Sequence, residues 1–323
     1  MLQSPLLLSQ EWFRLYPNQN DTTSVTVETL PYLTQRTLNC KFRWRGITIY
    51  EIFRIEFALD SSYVDSACSK SNILLNDLPC VGSQIVLNGD TIIHSWIAVE
   101  PPITFPAKSL PQILQVDPLR KVIAAFKPHS LATVPQGKFF RLNLTSLVKN
   151  HQHISNMHPI NRLDRAVAGL VLFSTETTTE ISAVNKRYFA EVATPFPQDV
   201  LESTAKLRVE KHAADQVLRT VIDEINGSES RTVFVKLSKN FVECRPITGR
   251  THQIRAHLAG LGSPIVGDST YSDDFRIEQM SQPEKIHLFC FEYEITKGSE
   301  NHVFRCPKEL IPSWLPRELV FGP

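Results

Sequence analysis

Two short stretches constrain this chain more than any others. Residues 161–165 read NRLDR and stand directly before the apolar run 168–174 (AGLVLFS), while residues 248–255 read TGRTHQIR. The first stretch places Asp164 on a polar loop at the start of a buried strand. The second combines a glycine turn with a helix N-terminus, where free N–H groups attract anions. We expect the fold to bring a carboxylate and several cations into one cleft.

The cations nearest in sequence are Arg162 and Arg165, which flank Asp164, and Arg250 at the helix start. Nearby positive charge favours the ionised form of a carboxyl group, and an ionised, positioned carboxylate can act as a nucleophile. From the residues alone, a structural Asp–Arg pair in a loop and an ordinary capped surface helix stay open as alternatives.

Composition bounds the class of protein. The chain has 323 residues, of which 42% are hydrophobic and 21% charged, enough for a large core and a smaller appendage. It has neither an apolar run of eighteen residues nor a basic stretch before its first leucines, so we predict no membrane contact, no secretory signal and a cytoplasmic location. A formal net charge of +1 disfavours a non-specific coat on nucleic acid, so any RNA contact must be local.

Metal and disulfide sites are not expected. The six cysteines form no C-x-x-C pair, which favours free thiols over a zinc ribbon. His151, His153 and His158 lack nearby cysteines or clustered carboxylates, so a structural or solvated role is favoured.

The organisation along the chain indicates two domains. Residues 48–57 carry apolar side chains at helical spacing, and residues 84–99 include a hairpin-like segment, so the N-terminal part reads as a small α+β unit. Three prolines in residues 100–106 mark an extended connector. We therefore predict an N-terminal auxiliary domain at 1–100 and a catalytic domain at 101–323.

The second part reads mostly as strands. Buried strands are predicted at 122–126 and 169–174, an antiparallel hairpin at 232–237 and 241–245, and a helix at 251–258. Runs of strands with few helical crossovers favour an α+β fold with an antiparallel or mixed sheet.

The ordered motifs resemble the RluA family of RNA pseudouridine synthases. The similarity covers roughly residues 101–314 and rests on five blocks: KPH at 127–129 with TVPQG at 133–137, RLDR at 162–165 with AGLVLFS at 168–174, KRYFA at 186–190, TGRTHQIR at 248–255 with HL at 257–258, and GSPIVGD at 262–268.

The resemblance implies the pseudouridine synthase fold, a central antiparallel or mixed sheet with flanking helices and a catalytic cleft, working without cofactor or metal. It implies that Asp164 is the catalytic aspartate and that Arg250 pairs with it. Tyr188 would pack on the target base, and its hydroxyl could help remove the C5 proton. Ile254 would form an apolar wall of the pocket.

The implied substrate is a uridine in a stem-loop of structured RNA, ribosomal or transfer, which the enzyme isomerises to pseudouridine. A monomer is our default expectation for the oligomeric state. Flipping the base out of its stack costs a few kcal/mol, which cationic contacts to the flanking RNA must offset. The substrate-binding candidates are Arg162, Arg165, Lys186, His252 and Arg255. Many members of this family carry a small RNA-binding domain at the place of residues 1–100. This part of the chain lacks a concentration of Lys and Arg, so an auxiliary packing domain stays open beside an RNA-binding one.

Two positions depart from the family's usual pattern. Asn161 stands where a histidine is common, and Val167 where a threonine is common. The segment between Asp164 and Tyr188 is also shorter than usual. These departures leave an alternative function open, a catalytically inactive paralogue that acts as an RNA-binding or RNA-chaperone protein.

Overall fold

The computed structural model describes residues 7–18, 21–176, 181–211, 218–272 and 286–322. Within these ranges no helix has the length and apolar character needed to cross a membrane. The strands, in chain order, are β1 (Phe13–Asn18), β2 (Asp21–Thr29), β3 (Tyr32–Asn39), β4 (Ile73–Leu75), β5 (Leu78–Pro79), β6 (Thr91–Ala98), β7 (Ile103–Pro106), β8 (Gln112–Asp117), β9 (Val122–Lys127), β10 (His158–Pro159), β11 (Ala168–Ser174), β12 (Ile181–Glu191), β13 (Val200–Lys211), β14 (Leu218–Ile222), β15 (Ser228–Lys236), β16 (Phe241–Pro246), β17 (Leu288–Lys297) and β18 (Glu300–Arg305).

The α-helices are short. They are α1 (Ile49–Phe57), α2 (Ser61–Ser69), α3 (Leu144–Gln152), α4 (Gln253–Gly260) and α5 (Arg317–Phe321), with single 3-10 turns at Phe42–Trp44, Ala107–Ser109 and Lys308–Leu310.

The chain divides into two compact units, one formed by Met1–Thr29 with Glu100–Pro323 and the other by Leu30–Val99. The predicted division at residues 100/101 lies next to one of these boundaries. The first 29 residues, however, group with the larger unit, because β2 pairs with both β1 and β7 in a three-stranded sheet. A strand pairing across about eighty residues leaves no local signal, so the sequence did not reveal it.

The larger unit is built on an eleven-stranded sheet with the order β14-β13-β15-β16-β12-β17-β11-β9-β8, in which β10 also pairs with β11 and β18 with β17. Among the described strands, β11 and β17 run parallel and the other named pairs are antiparallel. The sheet is therefore mixed, which confirms the α+β class expected from the sequence.

The centre of the sheet is apolar on both faces. Every residue of β9 and of β11 is buried, as their continuous apolar runs predict. Gly169 lets β11 approach β17, since a Cβ on Gly169 would lie 2.2 Å from the backbone oxygen of Cys290. The predicted hairpin is also confirmed, as β15 pairs antiparallel with β16 and the predicted helix is α4.

The smaller unit packs α1 and α2 on a sheet of order β3-β6-β4-β5. The predicted helix is α1, whose start is fixed by a capping box in which the Thr48 side chain accepts from the Glu51 N–H and the Glu51 carboxylate accepts from the Thr48 N–H. The predicted hairpin-like segment is a turn at Gly89 that leads into β6, and Ile85 forms an isolated bridge with Thr48.

Candidate active site

The Asp164 loop is fixed by backbone hydrogen bonds on both sides of the carboxylate. The Thr133 hydroxyl donates to the Leu163 oxygen at 2.8 Å and accepts from the Leu163 N–H at 3.1 Å. The Val167 N–H donates to the Asp164 oxygen at 3.0 Å and closes a turn before β11 begins. The Asp164 side chain, 28% exposed, therefore projects from a rigid loop at the start of a buried strand.

A buried lysine ties this loop to the end of β9. The Lys127 Nζ donates to three backbone oxygens, those of Pro128 at 3.0 Å, Leu131 at 2.7 Å and Arg165 at 3.2 Å. Burial lowers the pKa of Lys127 to about 7, and the charge of Asp164 opposes the shift. Lys127 thus acts on the backbone that carries Asp164.

The turn into α4 is organised by the buried Gln253. Its Oε1 accepts from the Arg250 N–H at 3.0 Å and from the Thr248 hydroxyl at 2.7 Å. Its Nε2 donates to the Arg231 oxygen at 3.0 Å and to the Thr232 hydroxyl at 2.9 Å, both on β15. One side chain therefore fixes the glycine turn against the sheet and sets the direction of α4.

Arg255 is the cation that contacts Asp164. Its Nη1 donates to Asp164 Oδ2 at 3.1 Å, while its Nε and Nη2 donate to the two oxygens of Asp268 at 2.7 and 2.8 Å. Nη2 also donates to the Thr270 hydroxyl at 3.0 Å. Burial lowers the pKa of Arg255, but the hydrogen bonds and charge of Asp268, together with Asp164, outweigh it and hold that pKa above its ordinary value.

The predicted pairing of Arg250 with Asp164 is wrong in this structure. Arg250 is exposed, and its Nε donates to the backbone oxygen of Glu229 at 3.1 Å. The reason is local: His252, at the N-cap of α4, has a left-handed backbone with φ 52°, which reorients the chain between Arg250 and the helix. Arg255 consequently lies on the buried side of the first helical turn, towards Asp164.

His252 lies next to the same carboxylate. Its Nε2 is 3.6 Å from Asp164 Oδ2, and its Nδ1 is hydrogen-bonded to the Tyr271 hydroxyl at 3.0 Å. Burial lowers the pKa of His252 despite the opposing charge of Asp164, so the ring is neutral at pH 7. It is therefore a neutral polar neighbour of Asp164 rather than a second cation beside it.

Tyr188 lies on β12 between Cys244 of β16 and Cys290 of β17. The residue is 7% exposed, and its hydroxyl is 3.1 Å from that of Tyr293. Burial raises the pKa of Tyr188 well above its ordinary value, with a smaller contribution from the charge of Asp164. The side chain is therefore a neutral phenol whose environment includes the Asp164 carboxylate.

The sequence reasoning missed two residues behind Tyr188. Tyr293 on β17 is fully buried, and the Asn161 Nδ2 donates to its hydroxyl. In the sequence Asn161 stands out only because a histidine is common at its position in the family. No sequence signal connects Tyr293 with Tyr188, because 105 residues separate them and their proximity depends on strand pairing.

Two more predicted residues, Ile254 and Lys186, are buried and partly buried, respectively. Ile254 is 7% exposed and belongs to the same apolar core as Tyr188. Lys186 is partly buried, and its Nζ lies 3.4 Å from where a Cβ on Gly249 would be. Burial lowers the pKa of Lys186, and Cys290 opposes this. Lys186 thus borders the TGR turn.

The predicted arginines of the Asp164 loop lie in different surroundings. Arg162 is exposed, whereas Arg165 is partly buried with its guanidinium 5.7 Å from the centre of the Phe139 ring. The part of the chain that the structure describes contains no group of three or more His, Cys, Asp or Glu side chains suited to hold a metal ion.

The chemistry available at this site is that of a positioned carboxylate. Asp164 is partly open to solvent and is held by a buried guanidinium, a neutral imidazole lies 3.6 Å from it, and its charge acts on the Tyr188 phenol. Such a carboxylate can attack an electron-poor carbon or stabilise positive charge that develops on a sugar. The buried phenol can exchange a proton within the same site.

A family model described as "RNA pseudouridylate synthase" matches residues 121–260, which include Asp164, Tyr188 and Arg255. The chain is similar to the mitochondrial tRNA pseudouridine(32) synthase of Saccharomyces cerevisiae, at 32% identity over 261 residues, covering 76% of this chain and 54% of that protein. It is 30% identical over 258 residues to the pseudouridylate synthase RPUSD2 of Homo sapiens, covering 75% of this chain and 45% of that protein.

A third relative is the tRNA pseudouridine(31) synthase of Saccharomyces cerevisiae, at 29% identity over 290 residues, covering 75% of this chain and 70% of that protein. The chain spans about half the length of the first two relatives. The matched region holds β9 to β16, the Asp164 loop and α4, with four of the five sequence blocks, and the fifth, at 262–268, follows it directly. The chain belongs to the RluA family of RNA pseudouridine synthases.

Proposed function

We propose that this protein is an RNA pseudouridine synthase that isomerises specific uridines in structured RNA. The observation that carries the proposal is the contact between Asp164, partly open to solvent, and the buried Arg255, inside the region matched by the family model. A carboxylate held in this way is suited to reaction rather than to packing, since a structural ion pair needs no exposed oxygen.

The reaction detaches uracil from C1′ of the ribose, rotates it and rejoins it through C5. In this proposal the Asp164 carboxylate acts as nucleophile or as electrostatic partner of the detached sugar, and Arg255 orients it through the 3.1 Å hydrogen bond. Tyr188 contacts the base, and its hydroxyl assists loss of the C5 proton after rejoining. Ile254 supplies an apolar surface beside the ring.

Transfer RNA is the substrate class we favour. Two of the relatives are named as tRNA pseudouridine synthases, for positions 32 and 31. Arg162 is an exposed cation next to Asp164, and Lys186 borders the TGR turn, so both are positioned to contact phosphates that flank the flipped base.

The test is release of tritium from C5 of labelled uridine in RNA from cells that lack this gene. Wild-type protein is compared with Asp164→Asn and with a matched control, Asp77→Asn. Asp77 is an exposed turn residue with φ 63°, a conformation that asparagine tolerates well, so the control removes the same charge outside the site.

We expect release by wild type and by the control but none by Asp164→Asn, with RNA affinity kept in all three. Absence of release by wild type while RNA binding persists would instead support the non-catalytic alternative, an RNA-binding or RNA-chaperone protein. Separate assays on tRNA and ribosomal RNA fractions then identify the substrate class. A monomeric state, a cytoplasmic location and an RNA-binding role for the smaller unit stay predictions.

A further inference from the structure

A buried polar chain lies behind Tyr188. The Asn161 Nδ2 donates to the Tyr293 hydroxyl, and that hydroxyl is 3.1 Å from the Tyr188 hydroxyl. Tyr293 is fully buried on β17, and Tyr188 is 7% exposed. Burying hydroxyl groups costs free energy unless they are hydrogen-bonded, and phenylalanine would fill the Tyr293 position with apolar atoms alone. The chain of polar groups therefore calls for a role beyond packing.

The direction of the hydrogen bonds follows from a backbone contact. The Leu172 N–H, which can only donate, points to Asn161 Oδ1 at 3.0 Å. This contact fixes the amide orientation, so the Asn161 NH₂ group must face Tyr293. The Tyr293 oxygen accepts that bond, which leaves its single proton to be donated onward.

The onward acceptor is Tyr188. The Cys290 thiol lies near both hydroxyls, but sulfur is a weak acceptor, so the oxygen of Tyr188 is preferred. Burial raises the pKa of Cys290 to about 12, which keeps this thiol protonated and neutral. The hydrogen bond from Tyr293 also lowers the pKa of Tyr188, although burial, the larger effect, raises it.

We propose that Asn161 and Tyr293 are positioning residues for Tyr188. Asn161 orients the Tyr293 hydroxyl, which donates a hydrogen bond to one lone pair of the Tyr188 oxygen. The proton and the remaining lone pair of Tyr188 are thereby directed into the cleft. This inference rests on the proposed function, because it concerns loss of the C5 proton. In that step the C5–H bond breaks, its electron pair forms the C5–C6 double bond, and the C6–N1 π electrons return to N1, which takes a proton from solvent. The proton passes to the Tyr188 oxygen, whose own proton moves to the Asp164 carboxylate.

Negative charge gathers on the Tyr188 oxygen if its proton leaves before the new one arrives. The donated bond from Tyr293 stabilises that charge, and a hydrogen bond to a charged group is worth about 1.5–3 kcal/mol, or roughly a 10- to 100-fold change in rate. Tyr293→Phe removes the donor while keeping the ring. Asn161→Asp replaces the NH₂ donor by an acceptor, so the Tyr293 proton turns away from Tyr188.

The experiment measures turnover on an RNA that wild type modifies, with the uridines carrying either hydrogen or deuterium at C5. We expect Tyr293→Phe and Asn161→Asp to lower kcat roughly 10- to 100-fold with little change in KM. The isotope effect should rise from near 1 in wild type to well above 1 in both variants, because proton loss becomes rate-limiting. A merely structural role does not raise it.

Two controls complete the design. Asn161→His keeps one ring N–H donor and one ring nitrogen acceptor, so it should retain most of the activity. Tyr63→Phe removes a partly buried hydroxyl that is bonded to His94 Nε2 at 2.8 Å in the smaller unit, and it should leave turnover unchanged. Thermal unfolding of every variant is recorded alongside.

The outcomes separate the two proposals. No conversion by wild-type protein would contradict the proposed function itself. Conversion by wild type together with unchanged turnover in Tyr293→Phe would overturn the positioning role of Asn161 and Tyr293. Slower turnover of Tyr293→Phe without a larger isotope effect would overturn it as well. If Tyr293→Phe impairs folding, turnover and the isotope effect of Asn161→Asp test the same proposal independently.

Discussion

Replacing Arg255 by methionine leaves the proposed reactive groups Asp164 and Tyr188 in place. Among such single changes near the site, we expect this one to lower stability and activity the most. Arg255 is 5% exposed, and the substitution leaves Asp268, 1% exposed, without two charged hydrogen bonds of 2.7 and 2.8 Å. Asp268 Oδ1 then still accepts a hydrogen bond from the Thr270 N–H at 3.2 Å. Removing one partner of a buried ion pair costs about 3–5 kcal/mol, so we expect a loss of that size in the free energy of unfolding.

The same substitution should lower activity for a separate reason, since Asp164 loses its 3.1 Å contact with a guanidinium. We expect kcat to fall by at least about 100-fold, the effect of removing one preorganised electrostatic partner. A double variant, Arg255→Met with Asp268→Asn, distinguishes the two effects. It removes the uncompensated charge, so stability should largely return while activity stays low.

Urea unfolding followed by circular dichroism, together with tritium release, measures both quantities. At an m-value of about 3 kcal/mol/M, the Arg255→Met midpoint should fall by roughly 1–2 M. Arg250→Met is the matched control: Arg250 is exposed and bonded to a backbone oxygen, so stability should change by less than about 0.5 kcal/mol. Equal behaviour of the two single variants would refute the assignment of Arg255 as the partner of Asp164.

Two further predictions concern the scaffold. Gly169→Ala should lower the free energy of unfolding in urea by more than about 3 kcal/mol, because Gly169 has φ +130° and the added Cβ would lie 2.2 Å from the Cys290 oxygen. Gly262 has φ +72° and open space around it, so Gly262→Ala should lower that free energy by only about 1 kcal/mol. Equal losses in the two variants would contradict this packing. Burial lowers the pKa of His94 from 6.5 to about 4, so the unfolded chain binds the extra proton and stability should fall as pH drops from 6.5 towards 4. His94→Gln should reduce that slope in pH-dependent unfolding, and an unchanged slope would exclude His94 as its source.

The sequence predicted those parts of the fold that local patterns determine. The runs that became β9 and β11 are apolar along their whole length, and residues 48–57 show the spacing that became α1. The sequence also predicts Asp164 and Tyr188 as members of one site, and the charge of Asp164 contributes to the raised pKa of Tyr188, after the larger effect of burial. Their catalytic roles remain predictions.

The choice between Arg250 and Arg255 was beyond the sequence. Both residues follow the same glycine turn, and the pairing with Arg250 rests on the family resemblance and on the expected place of Arg250 at the helix start. The deciding feature is the left-handed backbone of His252, which a non-glycine residue adopts rarely and which only tertiary contacts select. The bond from His252 Nδ1 to the Tyr271 hydroxyl is one such contact.

The position of Tyr293 depends on an irregularity in strand pairing. Lys186 is paired with Tyr293 and Tyr188 with Cys290, so a step of two residues on β12 matches a step of three on β17. Under strict alternation Cys290 and Tyr293 would lie on opposite faces of the sheet. The bulge brings both to the face of Tyr188, and such bulges are common next to active sites but leave little trace in sequence.

The central claim is that the Asp164 carboxylate isomerises uridine. The most direct measurement is sequencing of pseudouridine positions in RNA from cells lacking this gene, complemented with wild type, Asp164→Asn or Asp77→Asn at equal protein levels. The account predicts that at least one position loses pseudouridine without the gene and regains it with wild type and Asp77→Asn, but not with Asp164→Asn. Restoration by Asp164→Asn, or no position that depends on the gene, would contradict it.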